Sequence, residues 1–156
     1  MTEINYWLMK SEPDAYGIHH LEKELTTLWD GIRNYQARNF MRKMSIGDKA
    51  FFYHSNCKPP GIVGLMEVLE TELIDPTQFD PSEKYYDPKS SKEKPRWDCS
   101  RMGYIGQFKK MLTLEELRSR YTADQLTLLR KGNRLSIMPI EKVIALEIIE
   151  GLGNIL

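Results

Sequence analysis

Apolar residues run almost unbroken through residues 5–10 (NYWLMK), which predicts a strand buried on both faces. The strand ends at the SEPD sequence of 11–14, where proline and short polar side chains predict a loop. Ile18, Leu21 and Leu25 then recur at helical spacing. Trp29 precedes an Asp30-Gly31 turn signal, and a further helix begins near Asn34. On that helix Ala37, Phe40, Met41 and Met44 fall on one face, while Tyr35, Arg38, Asn39 and Arg42 fall on another. A turn at 45–48 leads into an aromatic strand at 49–55 (KAFFYHS), and Pro59-Pro60-Gly61 closes a hairpin onto a strand at 62–70. Gly61 and Gly64 there imply tight curvature or close approach to the backbone. Residues 71–96 read as a long loop punctuated by Asp-Pro and Lys-Pro pairs, with Phe79, Tyr85 and Tyr86 embedded in it. Trp97 opens an ordered segment reaching Leu112, and the T-x-x-E pattern at 113–116 caps a helix ending near Arg120. A second helix is predicted from Thr122 through Leu129, then a basic turn at 130–134, a strand at 135–140 stopped at Pro139, and a closing strand at 143–149. Strands near 5–10, 49–55, 61–70 and 143–149 with helices inserted between them predict an α+β fold built on one small, curved, barrel-like sheet.

Composition narrows the class further. A chain of 156 residues with 41% hydrophobic content suits a single domain over residues 1–156. Its 22 basic and 22 acidic residues balance, so no bulk charge advertises a polyanionic partner. The distribution is uneven: residues 29–58 and 118–134 each carry an excess of four positive charges, and residues 67–87 a deficit of six. If the two basic stretches meet in space, a neutral chain still presents a positive face. Cys57 and Cys99 make neither a metal-type pair nor a disulfide framework. No charged-then-apolar leader, membrane-length apolar run or N-glycosylation acceptor occurs, so the expectation is an intracellular chain with reduced cysteines.

Candidate chemistry gathers in three places. Lys10, Ser11 and Glu12 sit at a strand end, a frequent position for site residues, although Ser11 or Asp14 also suits a helix cap. The polar face of the 34–42 helix combines a ring, an amide and guanidinium forks suited to a planar polar ligand or a phosphate, or simply to water. His54 and Ser55 are neighbours on a strand and point to opposite faces, so they do not pair as base and nucleophile, and no Gly-x-Ser-x-Gly elbow exists.

Several motifs in order carry a resemblance: YWLMKSEP at 6–13, WDGIRNYQARN at 29–39, GDKAFFYHS at 47–55, GIVG at 61–64, YYDPKS at 85–90, PRW at 95–97 and RKGNRLSIMPI at 130–140. Together they closely resemble the EVE-domain family, and the likeness runs from about residue 5 to 150. One departure is the DCSRM sequence at 98–102, where members often have a Val-Asp-Val-type strand. The resemblance implies a PUA-like β-barrel with flanking helices, related to the YTH and ASCH domains. It also implies a non-catalytic reader of a modified nucleobase in DNA or RNA, without metal or cofactor, acting as a monomer. Its compartment would be the bacterial cytoplasm, or the nucleus in a eukaryote.

On that reading Trp29, with Tyr86 or Trp97, stacks the flipped base. Lys10, Ser11, Glu12, Asn34, Tyr35, Asn39, His54, Ser55 and Ser136 form the rest of the base pocket, and Arg33, Arg38, Lys131 and Arg134 hold phosphates. Two rival classes remain: a small-ligand or protein-interaction module using the same cleft, and a nucleic-acid hydrolase, for which Glu12 with His54 is the best available pair.

Overall fold

The computed structural model describes residues 3–152. Strand β1 (Tyr6–Ser11) lies inside the sheet, parallel to β3 (Lys49–His54) on one side and antiparallel to β6 (Ile137–Ile140) on the other. The long strands β4 (Gly61–Ile74) and β5 (Asp98–Thr113) continue the sheet beyond β3, and β2 (Thr26–Trp29) closes that edge. The order is β2-β5-β4-β3-β1-β6, a mixed six-stranded sheet. Its two edge strands do not pair with each other, so the expected α+β, PUA-like barrel is a strongly irregular open sheet rather than a closed ring. Register shifts interrupt both the β3–β4 and the β4–β5 ladders, and such bulges bend and twist strands.

Alternation along β1 explains why it reads as apolar throughout. Tyr6 and Leu8 enter one core with Phe51 and Tyr53 of β3, under helices α4 (Leu114–Arg120) and α5 (Lys142–Leu152). Trp7 and Met9 enter a second core on the opposite face, with Ala50 and Phe52, under α2 (Ile18–Glu24) and α3 (Tyr35–Arg42). The predicted core face of the 34–44 helix sits there, with Ala37, Met41 and Met44 buried and Phe40 packed alongside. The close approach expected at Gly64 is real: a Cβ there would lie 2.7 Å from the Gly106 carbonyl oxygen and 2.7 Å from Ile18 Cδ1.

Six expectations are corrected. Residues 143–149 form most of α5, not a closing strand. Ile144, Ala145 and Ile148 are buried at helical spacing, whereas a strand would have put Glu147 on the same face as Val143, Ala145 and Ile149. Residues 122–129 make turns and a single 3-10 turn at Thr127–Leu129 instead of a helix. The strand β2 takes residues read as the approach to a turn, and Leu25 is the exposed cap after α2, not part of its apolar face. Finally, β4 runs through Ile74, and β6 continues past Pro139, which is tolerated because β6 is an edge strand.

Candidate functional site

Three backbone segments meet at one end of the sheet. The Lys10 N–H donates to the Ser136 carbonyl (2.8 Å) just before β6, and the Ser55 N–H donates to the Ser11 carbonyl (3.0 Å) just past β3. Ser11 Oγ donates to the Tyr16 carbonyl (2.7 Å), which holds the short helix α1 (Pro13–Tyr16) as a side wall. Across from these strand ends lies the turn after β2. Between them opens a cleft of about 570 Å³, within the range of roughly 300–1,000 Å³ usual for small-ligand sites.

Trp29 forms the apolar wall of this cleft. Its side chain is nearly buried, at 7% exposure, and meets Phe52 edge to face with centroids 5.3 Å apart. The turn after it, Asp30-Gly31-Ile32, continues the lining and is pinned from behind by Asp75. That carboxylate is wholly buried and accepts from the Gly31 N–H (2.8 Å), Arg33 Nη1 (3.0 Å), the Thr77 N–H (2.8 Å) and Thr77 Oγ1 (2.6 Å). Gly31 is required twice over: its φ is +76°, and a Cβ would stand 2.6 Å from the Tyr85 ring. Arg33 then clasps the Tyr85 carbonyl through Nε (2.9 Å) and Nη2 (2.6 Å), so Tyr85 and Lys84 of the long loop reach the cleft rim.

The cleft carries charges of both signs. Lys10 and Asp30 line it, and neither has an ion-pair partner among the described residues. Burial pushes the Lys10 ammonium below its usual range. Burial, then the nearby Asp75 charge, raises the Asp30 carboxyl. Glu12, also in the lining, accepts from Asn56 Nδ2 (3.2 Å). The lining thus combines an indole ring with donor groups on Lys10, Ser55, Ser136 and Arg134 and acceptor groups on Asp30 and Glu12, the types a planar polar ligand requires.

The structure brings seven of the expected residues into this lining: Lys10, Ser11, Glu12, Trp29, Ser55, Arg134 and Ser136. The others stand outside it. Asn34 caps α3, its Oδ1 accepting from the Ala37 N–H (2.9 Å), and Asn39 Oδ1 accepts from Arg38. Tyr35 stacks on Trp97 at 4.7 Å, and Trp97 Nε1 donates to Asp87 (2.7 Å). Tyr86 is exposed, and its neighbour Tyr85 lines the cleft instead.

His54 faces the second core, where its Nε2 accepts from the Ile18 N–H (3.1 Å), so it shares no cleft with Glu12. Burial, then His19, lowers its pKa. Arg33 is committed to Asp75 and Tyr85, Arg38 donates to the Arg96 carbonyl (2.9 Å), and Lys131 lies exposed in a turn. Thus, of the basic side chains in the two basic stretches, Arg134 alone joins the cleft, with Lys84 added from a stretch that is acidic overall. Tyr16, Thr27, Asp30, Lys84 and Tyr85 were missed; the paired tyrosines of the proline-punctuated loop were the available signal for the last of these. Among the described residues no cluster of three His, Cys, Asp or Glu side chains is arranged to hold a metal, and no helix is long and apolar enough to cross a membrane.

An open mixed sheet with helices on both faces and an aromatic cleft at one end defines a PUA-like protein. Residues 5–151 match the EVE domain, and the chain belongs to the EVE-domain family. It is 42% identical over 154 residues to mouse thymocyte nuclear protein 1, covering 87% of this chain and 68% of the relative. A solved protein from Pseudomonas syringae superposes with a TM-score of 0.91 at 44% identity, covering 95% of this chain and 99% of that one. Human THYN1 in complex with DNA containing 5-methylcytosine superposes with a TM-score of 0.87 at 38% identity, covering 96% and 98%.

Proposed function

We propose that this protein reads a modified base in DNA, holding the flipped base in the cleft beside Trp29 without altering it. The observation that carries the reading is the cleft: a buried ring wall next to Lys10 and Asp30, which make no ion pair among the described residues. The human THYN1 complex with 5-methylcytosine DNA, on the same fold, supports the choice of ligand.

Extruding a base costs a few kcal/mol in a duplex and less from a single strand. Stacking on Trp29 returns about 1–3 kcal/mol whatever the base. Identity is then read by the polar groups of the lining, since a buried donor or acceptor left unmatched costs about 1–3 kcal/mol. Arg134 and Lys84 at the rim neutralise phosphates and set the register of the strand. The Glu12–His54 pair that a hydrolase would use does not face the ligand, because His54 is turned into the helix cap of α2.

The test is a titration of matched oligonucleotides containing 5-methylcytosine or cytosine, as DNA and as RNA, followed by gel analysis of the strands. Preference for the marked DNA with intact strands is expected. Equal binding of marked and unmarked strands would overturn the reader, and strand or base cleavage would favour the hydrolase.

A further inference from the structure

Outside the cleft, Tyr35 has no role in the site just described. Its ring is half exposed, at 50%, although it stacks on Trp97 at 4.7 Å with an interplanar angle of 24°. Trp97 beneath it is buried, and its Nε1–H donates to Asp87, which fixes the orientation of the lower ring. The Arg38 guanidinium lies 4.6 Å from the Tyr35 centroid and 5.9 Å from that of Trp97. These three distances make an angle of about 80° at Tyr35, so Arg38 and Trp97 crowd one side of the phenol and do not stand in line through its centre. Half of the residue's surface is left to solvent, room for a base against the ring.

Arg38 is also preorganised. It donates Nε–H and Nη2–H to Asn39 Oδ1 (3.3 and 3.0 Å) and Nη1–H to the Arg96 carbonyl (2.9 Å). A guanidinium has five N–H donors, so two remain, on a group whose orientation is set.

This platform is continuous with the cleft. Tyr85 at the rim lies 5.7 Å from Arg33, Arg33 lies 5.3 Å from Trp97, and Trp97 stacks on Tyr35. Those three steps bound the Tyr85–Tyr35 separation at about 16 Å, at most about five nucleotides at the roughly 3.4 Å axial rise per phosphate of one strand of B-DNA. Charge agrees: residues 30–43 carry an excess of three positive charges and residues 84–98 an excess of two, in a chain that is neutral overall. The two segments form one surface through the Arg33, Arg38 and Arg42 contacts to Tyr85, Arg96 and Asp98.

The geometry points to a second DNA subsite, resting on the reader function proposed above: Tyr35 stacks a nucleobase flanking the flipped one, and Arg38 holds the adjoining phosphate. The flipped base supplies identity, and this subsite supplies affinity that ignores the mark. A free nucleotide fills only the cleft, whereas a strand fills both.

The experiment uses the full chain with 5-methyl-dCMP and with a 12-mer DNA carrying one 5-methylcytosine or cytosine. Tyr35→Ala should weaken the 12-mer about tenfold, within the range for loss of one aromatic–base stack, and leave both the preference ratio and nucleotide binding unchanged. Tyr35→Phe should behave as the parent. Abasic sites are then walked along the strand. In the parent, one flanking position should lose affinity, and in Tyr35→Ala that same position should become silent. Equal weakening of the free nucleotide by Tyr35→Ala would assign Tyr35 to the cleft and overturn the subsite, as would an abasic walk that is identical in parent and variant. A parent that couples Tyr35 to a flanking position yet ignores the methyl group overturns the reader alone. A parent that binds no strand overturns both.

Discussion

Replacing Trp29 separates a reader from a general binder. The ring is 7% exposed and packed on Phe52, so Trp29→Ala loses about 3–5 kcal/mol of stability through the cavity it leaves. That is a large fraction of the roughly 5–15 kcal/mol available to a domain, but it leaves a folded population to assay at low temperature. Binding loses a further ~1–3 kcal/mol of stacking. The mark itself is small: burying one methyl group is worth ~0.8 kcal/mol, about fourfold in affinity, and only for a base already seated against the wall. Trp29→Ala should therefore drop a roughly fourfold preference towards unity while weak, salt-sensitive binding persists. Trp29→Phe keeps a ring and most of the packing, and should retain a measurable preference. Fluorescence anisotropy with marked and unmarked duplexes reads both effects, and a thermal melt establishes that each variant is folded. A folded Trp29→Ala protein that still distinguishes the two strands as well as the parent would refute the assignment of this wall.

Other outcomes follow from the same geometry. Asp75→Ala strips four donors of a buried acceptor and leaves Arg33 without its partner, so chemical denaturation should show a loss of about 3–5 kcal/mol, together with weaker ligand binding as the Gly31 turn loosens. Arg134→Ala should lower the slope of log affinity against log salt by about 0.9 on duplex DNA, whereas Arg33→Ala should lower the melting temperature because that guanidinium is spent on Asp75 and Tyr85. His54 has a folded pKa below its ordinary 6.5, so the unfolded chain takes up the proton first. Stability is therefore lost as pH falls through about 6.5 and levels off once pH is below the folded value. Melting temperatures from pH 7.5 to 5 should decline, and His54→Gln, which keeps an acceptor without titrating, should flatten that decline.

What the sequence determined by itself was local. The nearly unbroken apolar run at 5–10 marked a strand buried on both faces and the aromatic run at 49–55 marked another strand, because the side-chain period of a strand is a property of the backbone. Asn34 and Thr113 marked helix starts because each cap closes on an N–H three residues away. The motif set named the family and placed Lys10, Ser11, Glu12, Ser55 and Ser136 near one mouth beside Trp29, together with Asn34, Asn39 and His54, which the fold sends elsewhere. The tertiary structure decided what depends on distant partners. Residues 143–149 carry β-branched residues suited to a strand, but β6 already occupies the edge beside β1, and Ile144, Ala145 and Ile148 find their core only as a helix face. Arg33 looked like a phosphate ligand until Asp75, 42 residues on, claimed it. Tyr85 and Tyr86 are adjacent in a loop without periodicity, and only the close approach to Gly31 and the clasp of Arg33 select which of them turns to the cleft. Such choices are made by contacts between segments far apart in the chain, and a local pattern carries no record of them.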